Sequence, residues 1–246
     1  MSLSSFCAEH DERGQVKEKS ALPPAMFLGG ALALDFLNSI ATPVDEIVEW
    51  LGDGVDFLSW MKQAGLLSED DIRTIKRSMP VAQLDRAAKH ARELRDWFRG
   101  FVHEHRGGPL KKRALDQLGP LNQLLGLDAL FWQIEPSGAF RDRGENENLS
   151  PTIFHLRPRR NWRKPDSLLS PLAEEIAKFI CSADFRYIKA CGGGNCTILF
   201  LDNSHRHGRK WCSMAICGNR AKSAAFSARS KGIKKNARLQ RKLRQD

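Results

Sequence analysis

Residues 187–226 read YIKACGGGNCTILFLDNSHRHGRKWCSMAICGNRAKSAAF, and this stretch holds four of the six cysteines of the chain. Cys191 and Cys196 form one C-x4-C pair, Cys212 and Cys217 form a second, and fifteen residues separate the two pairs. Two closely spaced cysteine pairs on either side of a hairpin-length segment are typical of a tetrahedral zinc site with four cysteine ligands. Four protein ligands leave no position for water, so the sequence predicts a structural zinc ion and not a catalytic one.

The spacing of the cysteines leaves two other readings open. Four unrelated buried thiols, or a redox-responsive dithiol, would also place cysteines close together in sequence. The remaining two, Cys7 and Cys181, stand alone. In a reducing compartment a tight cluster of cysteines holds metal more often than disulfides, so we favour Zn2+ as the cofactor.

The start of the chain carries no sign of export. Residues 1–20 are polar and acidic, and they lack the basic start and apolar core of a secretory signal. No window approaches the length of apolar sequence that a transmembrane helix needs. The sequence therefore predicts a cytoplasmic protein without a membrane partner.

The net charge of +10 is unevenly distributed. Residues 185–246 hold 15 Lys/Arg against two acids, a net charge of +13, whereas residues 1–184 hold 24 bases against 27 acids, a net charge of −3. Such an asymmetry predicts an anionic partner at the basic end. A solvated, disordered basic tail is the alternative.

Residues 25–165 have the periodicity of a mainly helical domain. The strongest apolar period runs over Val81–His105 and stops at Gly107. Asp53 and Ser68 are expected to cap two further helices. Helices are also predicted over residues 31–39 and 110–125, the second with a break at Gly119-Pro120.

The pattern changes near residue 130. Leu130–Arg141 and Pro151–Arg157 resemble the strands of a short β-hairpin. The predicted fold class is α+β: a mainly helical N-terminal domain with a short β-hairpin, followed by a small four-cysteine zinc finger with a basic C-terminal helix. The remaining segments are a connector at 158–166, a connecting helix at 168–184 capped by Ser170, the finger at 185–231, and a basic tail at 232–246.

Within the finger, Thr197–Leu201 is expected to form a strand, with Arg209–Trp211 returning antiparallel to it. Gly192–Gly194 let the first knuckle turn, and Trp211 is expected to shield the metal. The segment from Asn219 to Lys231 is predicted to be a basic helix. Because the finger has little core of its own, metal loss should unfold it and leave the N-terminal domain folded.

This segment resembles the CGNR zinc-finger family, named for a tetrapeptide present here as Cys217-Gly218-Asn219-Arg220. Residues 200–202, 209–215 and 221–222 are also similar to the family pattern, and the resemblance covers about residues 187–229. Residues 31–38, ALALDFLN, are similar to the opening of the ABATE domain, which usually precedes this finger.

The resemblance implies a regulator of stress-induced transcription whose finger binds DNA. The family's zinc ligands map onto the four clustered cysteines, although the first knuckle is richer in glycine than the family pattern. We therefore expect a DNA-binding transcription regulator, and not an enzyme, whose N-terminal domain senses a small-molecule effector or forms a homodimer. The alternative is a zinc-dependent module that binds RNA or protein without operator specificity.

Basic residues around the second cysteine pair are the candidate DNA contacts. A basic helix held by a zinc knuckle suits a groove or a phosphate backbone, whereas Phe226 on that helix is expected to lie in the core. The tail is expected to follow phosphates without sequence preference. The candidate nucleic-acid-binding residues are Arg209, Lys210, Arg220, Lys222, Arg229 and Lys231.

Two polar groups have alternative readings. Asp202, His205 and His207 would suit a metal-dependent nuclease, but a turn with solvated histidines is the preferred interpretation. Asp35 and Asn38 share one face of an apolar helix. They form either an internal hydrogen-bond network, which we favour, or the ligand pocket of a sensor domain.

Overall fold

The computed structural model describes residues 22–42, 46–136 and 153–229. The described residues form helices and three two-stranded antiparallel sheets, as the predicted α+β class requires. The helices are α1 (Leu32–Leu37), α2 (Gly54–Gln63), α3 (Glu69–Ser78), α4 (Val81–His105), α5 (Gly119–Gly126), α6 (Ser170–Ser182) and α7 (residues 219–229). The strands are β1 (Ile40–Ala41), β2 (Val48–Glu49), β3 (Leu130–Pro136), β4 (Phe154–Arg160), β5 (Ile188–Ala190) and β6 (Leu199–Leu201).

The long helix α4 has the predicted bounds and lies at the centre of the N-terminal part. It begins after Pro80 and ends before Gly107, which adopts a positive φ of 84°. Its apolar stripe, which includes Leu84, Ala91 and Phe98, is buried against α1 and α2. The periodicity identified this helix because one buried stripe repeats along its whole length.

The predicted N-caps of α2 and α3, Asp53 and Ser68, are confirmed. The Asp53 carboxylate accepts hydrogen bonds from the N–H groups of Val55 and Asp56, both at 2.9 Å. Ser68 and Asp71 form a reciprocal capping box at the start of α3. These side chains satisfy backbone donors that the first helical turn leaves free.

The predicted cap of α6 is wrong, whereas the break predicted within residues 110–125 is present. Ser170 does not cap α6: Leu169 is the N-cap, and the buried Ser170 hydroxyl has no hydrogen-bond partner among the described residues. α6 packs against α1 and α5 and buries Ile176 in the core. The helix predicted at 110–125 is divided into a 3-10 turn, Lys112–Gln117, and α5, as the predicted break implies.

The predicted β-hairpin is present, with shifted bounds. β3 and β4 pair antiparallel from Leu130 opposite Arg160 to Pro136 opposite Phe154. The segment 158–160, predicted as a connector, is the end of β4, and it is bonded to the body of the protein through Arg160, Asp128 and Glu174. The predicted extensions to Arg141 and from Pro151 lie outside the described residues.

The finger shares its core and its hydrogen bonds with the N-terminal part. The amide side chain of Asn38 bonds both backbone groups of Leu199, donating to the oxygen at 2.8 Å and accepting from the nitrogen at 3.0 Å. The Leu201 N–H donates to the Gly29 oxygen at 2.7 Å. The outer edge of β6 is therefore covered by the loop before α1 and by the end of α1.

Candidate metal centre and nucleic-acid interface

The four clustered cysteines meet at one point of the structure. The Sγ atoms of Cys191, Cys196, Cys212 and Cys217 all lie within 4.8 Å of one another. The Sγ atoms of Cys196 and Cys212 are 3.8 Å apart, and those of Cys212 and Cys217 are 3.6 Å apart. Tetrahedral zinc with Zn–S bonds of about 2.3 Å places its sulfurs about 3.8 Å apart, whereas a disulfide needs about 2.05 Å. The spacing therefore fits a metal ion and excludes disulfides between these thiols.

Two short elements hold the sulfurs in place. Cys191 follows β5 and Cys196 precedes β6, so the pairing of these strands closes the first knuckle. The second pair lies at the entry and within a π-helical turn, Met214–Gly218, that leads into α7. The predicted return strand at 209–211 is wrong: β6 pairs with β5, because the turn between Cys191 and Cys196 brings the flanking segments together.

Gly192 and Gly193 of the first knuckle are closely packed and have no positive φ, whereas a Cβ added to Gly194 would meet no atom within 4 Å. A Cβ added to Gly192 would lie 3.1 Å from the Lys210 oxygen and from the Trp211 ring. One added to Gly193 would lie 3.2 Å from the Cys217 Sγ. Gly192 and Gly193 thus let the first knuckle approach the second, and the Trp211 ring lies against Gly192, so that its shielding of the metal stays a prediction.

The chemistry of the donors also fits a cation. Two of the sulfurs accept hydrogen bonds from backbone N–H groups. The Cys212 nitrogen lies 3.3 Å from the Cys191 Sγ, and the Ile198 N–H donates to the Cys196 Sγ. The hydrogen bond from Cys212 lowers the pKa of Cys196 to about 5, whereas burial raises the pKa of Cys217 to about 12. Adjacent thiols cannot all ionise side by side without a positive charge between them. A divalent ion supplies that charge, and zinc suits four thiolates.

Asp202 holds the loop between the two cysteine pairs. Its buried carboxylate accepts bonds from Lys189 Nζ at 2.7 Å, Ser204 Oγ at 2.6 Å and the Arg209 N–H at 2.9 Å. Burial alone would raise the pKa of Asp202, but these donors hold it well below its usual range. The His207 ring stacks on Tyr187 and bonds to the Asp202 carbonyl. Every group of the proposed nuclease set except exposed His205 is thus used in the loop itself.

The candidate DNA contacts divide into internal and exposed residues. The Arg209 guanidinium packs on the Phe200 ring and bonds to the carbonyls of Trp211, Cys212 and Leu28. This arrangement gives Arg209 a role inside the finger, so its DNA contact stays a prediction. Lys210 is exposed, with its Nζ 5.9 Å from the Trp211 ring centre.

Helix α7 begins directly after the last cysteine of the cluster and is exposed along most of its length. Within residues 219–229 only Ala221 is partly buried, and every other side chain is exposed. Lys222, Phe226 and Arg229 recur at four- and three-residue steps, so they share one face. The expectation that Phe226 lies in the core is wrong, since its side chain is 67% exposed. No segment among the described residues packs on this face.

The first turn of α7 borders a groove of about 240 Å3 beside the zinc site. Its walls are the first knuckle, Gly192–Cys196, and the helix residues Arg220, Ala221 and Ala224. Lys231 and the basic tail, the last of the predicted contacts, lie outside the described residues.

Asp35 and Asn38 make internal contacts. The Asp35 carboxylate accepts a hydrogen bond from the Gly29 N–H at 2.7 Å, and Asn38 bonds to Leu199. Burial raises the pKa of Asp35 to about 6. These are the contacts of an internal network, and a ligand pocket at this place stays a prediction.

Lys189 is a residue of the finger that the sequence did not single out. It is the charge partner of Asp202, yet a lone lysine in a short strand carries no signal of its own. The available clue was a charged residue in a short strand, 13 positions before a loop aspartate.

Two family profiles match the chain. ABATE, described as "Putative stress-induced transcription regulator", matches residues 30–183, which is more than half of the chain. The CGNR zinc finger matches residues 187–230. A search of curated proteins found no significant match. None of the helices in the described part of the chain combines the length and apolar character needed to cross a bilayer.

Proposed function

We propose, from the premise that this chain belongs to the ABATE family and carries a CGNR zinc finger, that it is a DNA-binding transcription regulator with a structural zinc ion. The observation that carries the proposal is helix α7, which is basic, exposed and anchored at its start by Cys217. Its exposed side chains are available to a partner, and its charge, with Arg220, Lys222 and Arg229 and no acid within residues 219–229, favours an anionic one.

The dimensions of α7 suit the major groove of duplex DNA. An α-helix with its side chains is about 10–12 Å wide, and the major groove is about 12 Å wide. Four alanines, at positions 221, 224, 225 and 228, occupy another side of α7, where Ala221 and Ala224 border the groove beside the first knuckle.

The face formed by Lys222, Phe226 and Arg229 has the chemistry of a base-reading surface. Lys222 and Arg229 can donate to guanine acceptors or to phosphates, and the Phe226 ring between them can contact a thymine methyl. Exposed Lys210 and Arg220 lie beside the zinc site, where they would meet the phosphate backbone.

In this proposal the N-terminal domain senses a small-molecule effector or holds two chains together, and the protein acts in the cytoplasm, where bacterial-type operators are reached. We assign no catalytic step to it. Asp202, the acid of the nuclease alternative, is already engaged by Lys189, Ser204 and the Arg209 N–H.

A salt titration of binding to selected and random DNA duplexes tests the proposal. Lys222→Ala or Arg229→Ala should weaken binding to a selected duplex by about 1–3 kcal/mol more than binding to random duplexes if the side chain reads a base. A side chain that contacts phosphate should instead lower the salt slope by about 0.9. Lys76→Ala, an exposed lysine on α3, is the matched control and should change neither.

Deleting residues 231–246 removes seven Lys/Arg and should weaken binding to all sequences alike. Absence of duplex binding by the wild-type protein at low salt would overturn the proposal. Tighter binding to RNA than to duplex DNA would favour the alternative, a zinc-dependent RNA-binding module.

A further inference from the structure

The hairpin formed by β3 and β4 has one strongly apolar face. Residues directly opposite each other on paired antiparallel strands share a face. Trp132 lies opposite Pro158, Ile134 opposite Leu156, and Pro136 opposite Phe154. The apolar face, which we call the arm face, consists of Leu130, Trp132, Ile134, Phe154 and Leu156 together with these prolines.

The arm face is exposed in the single chain. Trp132, Ile134, Phe154 and Leu156 are each between 61% and 69% exposed. The sequence of the two strands alternates as in a sheet that covers a core, yet no core lies behind this face in the described residues. Two strands alone are marginally stable in water, so the hairpin needs a covering layer.

The opposite face of the hairpin is more polar. It carries Phe131, Gln133, Glu135 and Arg159, and Arg159 pairs with Glu135 and feels the charges of Asp70 and Asp71 on α3. The bonds of Arg160 to Asp128 and Glu174 hold the base of the hairpin to the body of the protein. Beyond this base the arm face is exposed.

We propose that the arm face is the dimer interface, and that its partner is the arm face of a second copy of this chain. The face is uncharged up to Arg160 at its base, and Arg160 is paired with Asp128 and Glu174. Two copies of a chain with a net charge of +10 repel each other least through such a face. Packed face to face, the two arms form a two-layer sheet with the missing core between them.

The area of the arm face is compatible with a dimer of two such faces. Five large side chains at this exposure offer on the order of 500 Å2 per chain. Two copies then bury about 1,000 Å2, which meets the minimum of about 1,000 Å2 expected of a biological interface. The same residues on both chains make the contact, as a two-fold axis requires.

Sedimentation equilibrium of the full-length, zinc-loaded protein tests the proposal. The variant Ile134→Glu buries an unpaired carboxylate from each copy and should weaken dimerisation by at least about 100-fold. The matched control is Ile47→Glu, because Ile47 is 75% exposed outside the arm, and this variant should dimerise like the wild type. Circular dichroism and zinc content establish that each variant is folded.

Trp132→Ala provides a second test that introduces no charge, and it should weaken dimerisation in the same direction. A wild-type protein that stays monomeric over the micromolar range would overturn the proposal. So would a dimer that both arm variants leave intact, since its interface would then lie elsewhere. Neither outcome depends on whether the finger binds DNA.

Discussion

Asp35 lies almost entirely within the protein, with 7% of its surface exposed. Burial raises its pKa from about 3.8 to about 6, although hydrogen bonds from the backbone of Gly29 and Leu28 act in the opposite direction. When a carboxyl group binds its proton more tightly in the folded state, the free energy of unfolding falls as that group ionises. The contribution of Asp35 is therefore fully present below pH 3.8 and is lost as the pH rises through 6.

Asp35→Asn should remove this pH dependence. Asparagine keeps an oxygen for the Gly29 N–H and does not ionise. We expect the variant to equal the wild type in unfolding free energy near pH 4 and to exceed it near pH 8, by at most about 3 kcal/mol. Denaturant unfolding at both pH values measures the difference.

Any loss of zinc in acid affects both proteins alike, so its effect cancels in the difference between their unfolding free energies. Asp116→Asn, at an exposed acid in a turn, is the control and should follow the wild type. A constant offset between Asp35→Asn and the wild type across this range would contradict the prediction.

For some single residues the sequence does not predict the contacts or the burial. The sequence indicated that Asp35 and Asn38 share a buried face and need partners. It could not identify Leu199, 161 residues away, as the partner of Asn38. Phe226 was assigned to the core because aromatic rings are usually buried, but burial depends on neighbours that a helix pattern does not contain.

At the scale of elements, the locally encoded features were predicted and the long-range ones were not. α4 and the caps of α2 and α3 depend on residues within a few positions of one another. The cysteine pairs likewise carry their signal in their spacing. The partner of β6 was predicted wrongly, because apolar alternation does not tell one neighbouring strand from another.

The zinc finger as an element should bind one metal ion per chain. Cys212→Ser should reduce the zinc content well below one and weaken the fold of the finger, because the Cys212 Sγ lies close to those of both Cys196 and Cys217. Elemental analysis of the purified proteins provides the measurement.

Cys181→Ser is the matched control for this experiment, since Cys181 is exposed on α6 and lies outside the cluster. It should retain stoichiometric zinc. Equal zinc in both variants would argue against the four-cysteine site.

At the scale of the whole molecule, loss of the metal should affect more than the finger. The sequence predicted that metal loss leaves the N-terminal domain folded. In the structure, however, Asn38 and Gly29 bond to β6, and residues of both parts form one continuous core. Removal of the ion should therefore also loosen α1.

Hydrogen exchange of the intact protein with and without a strong chelator measures this coupling. Amides of α1, such as those of Asp35 and Asn38, should lose protection together with those of Leu199 and Leu201. The middle of α4 should change little, since it packs mainly on α2 and on the turn at Pro165–Leu169. Unchanged protection of α1 would show that the two parts fold independently.

The N-terminal part covers the outer edge of β6. This contact has a consequence for transfer of the finger to another protein. A finger cut from this chain at residue 185 would present the backbone of Leu199 and Leu201 without the groups that now satisfy it. The exposed edge would be free to pair with other chains. A functional graft must therefore include the loop at Gly29 and the end of α1, so the unit of recombination is larger than the sequence motif that names it.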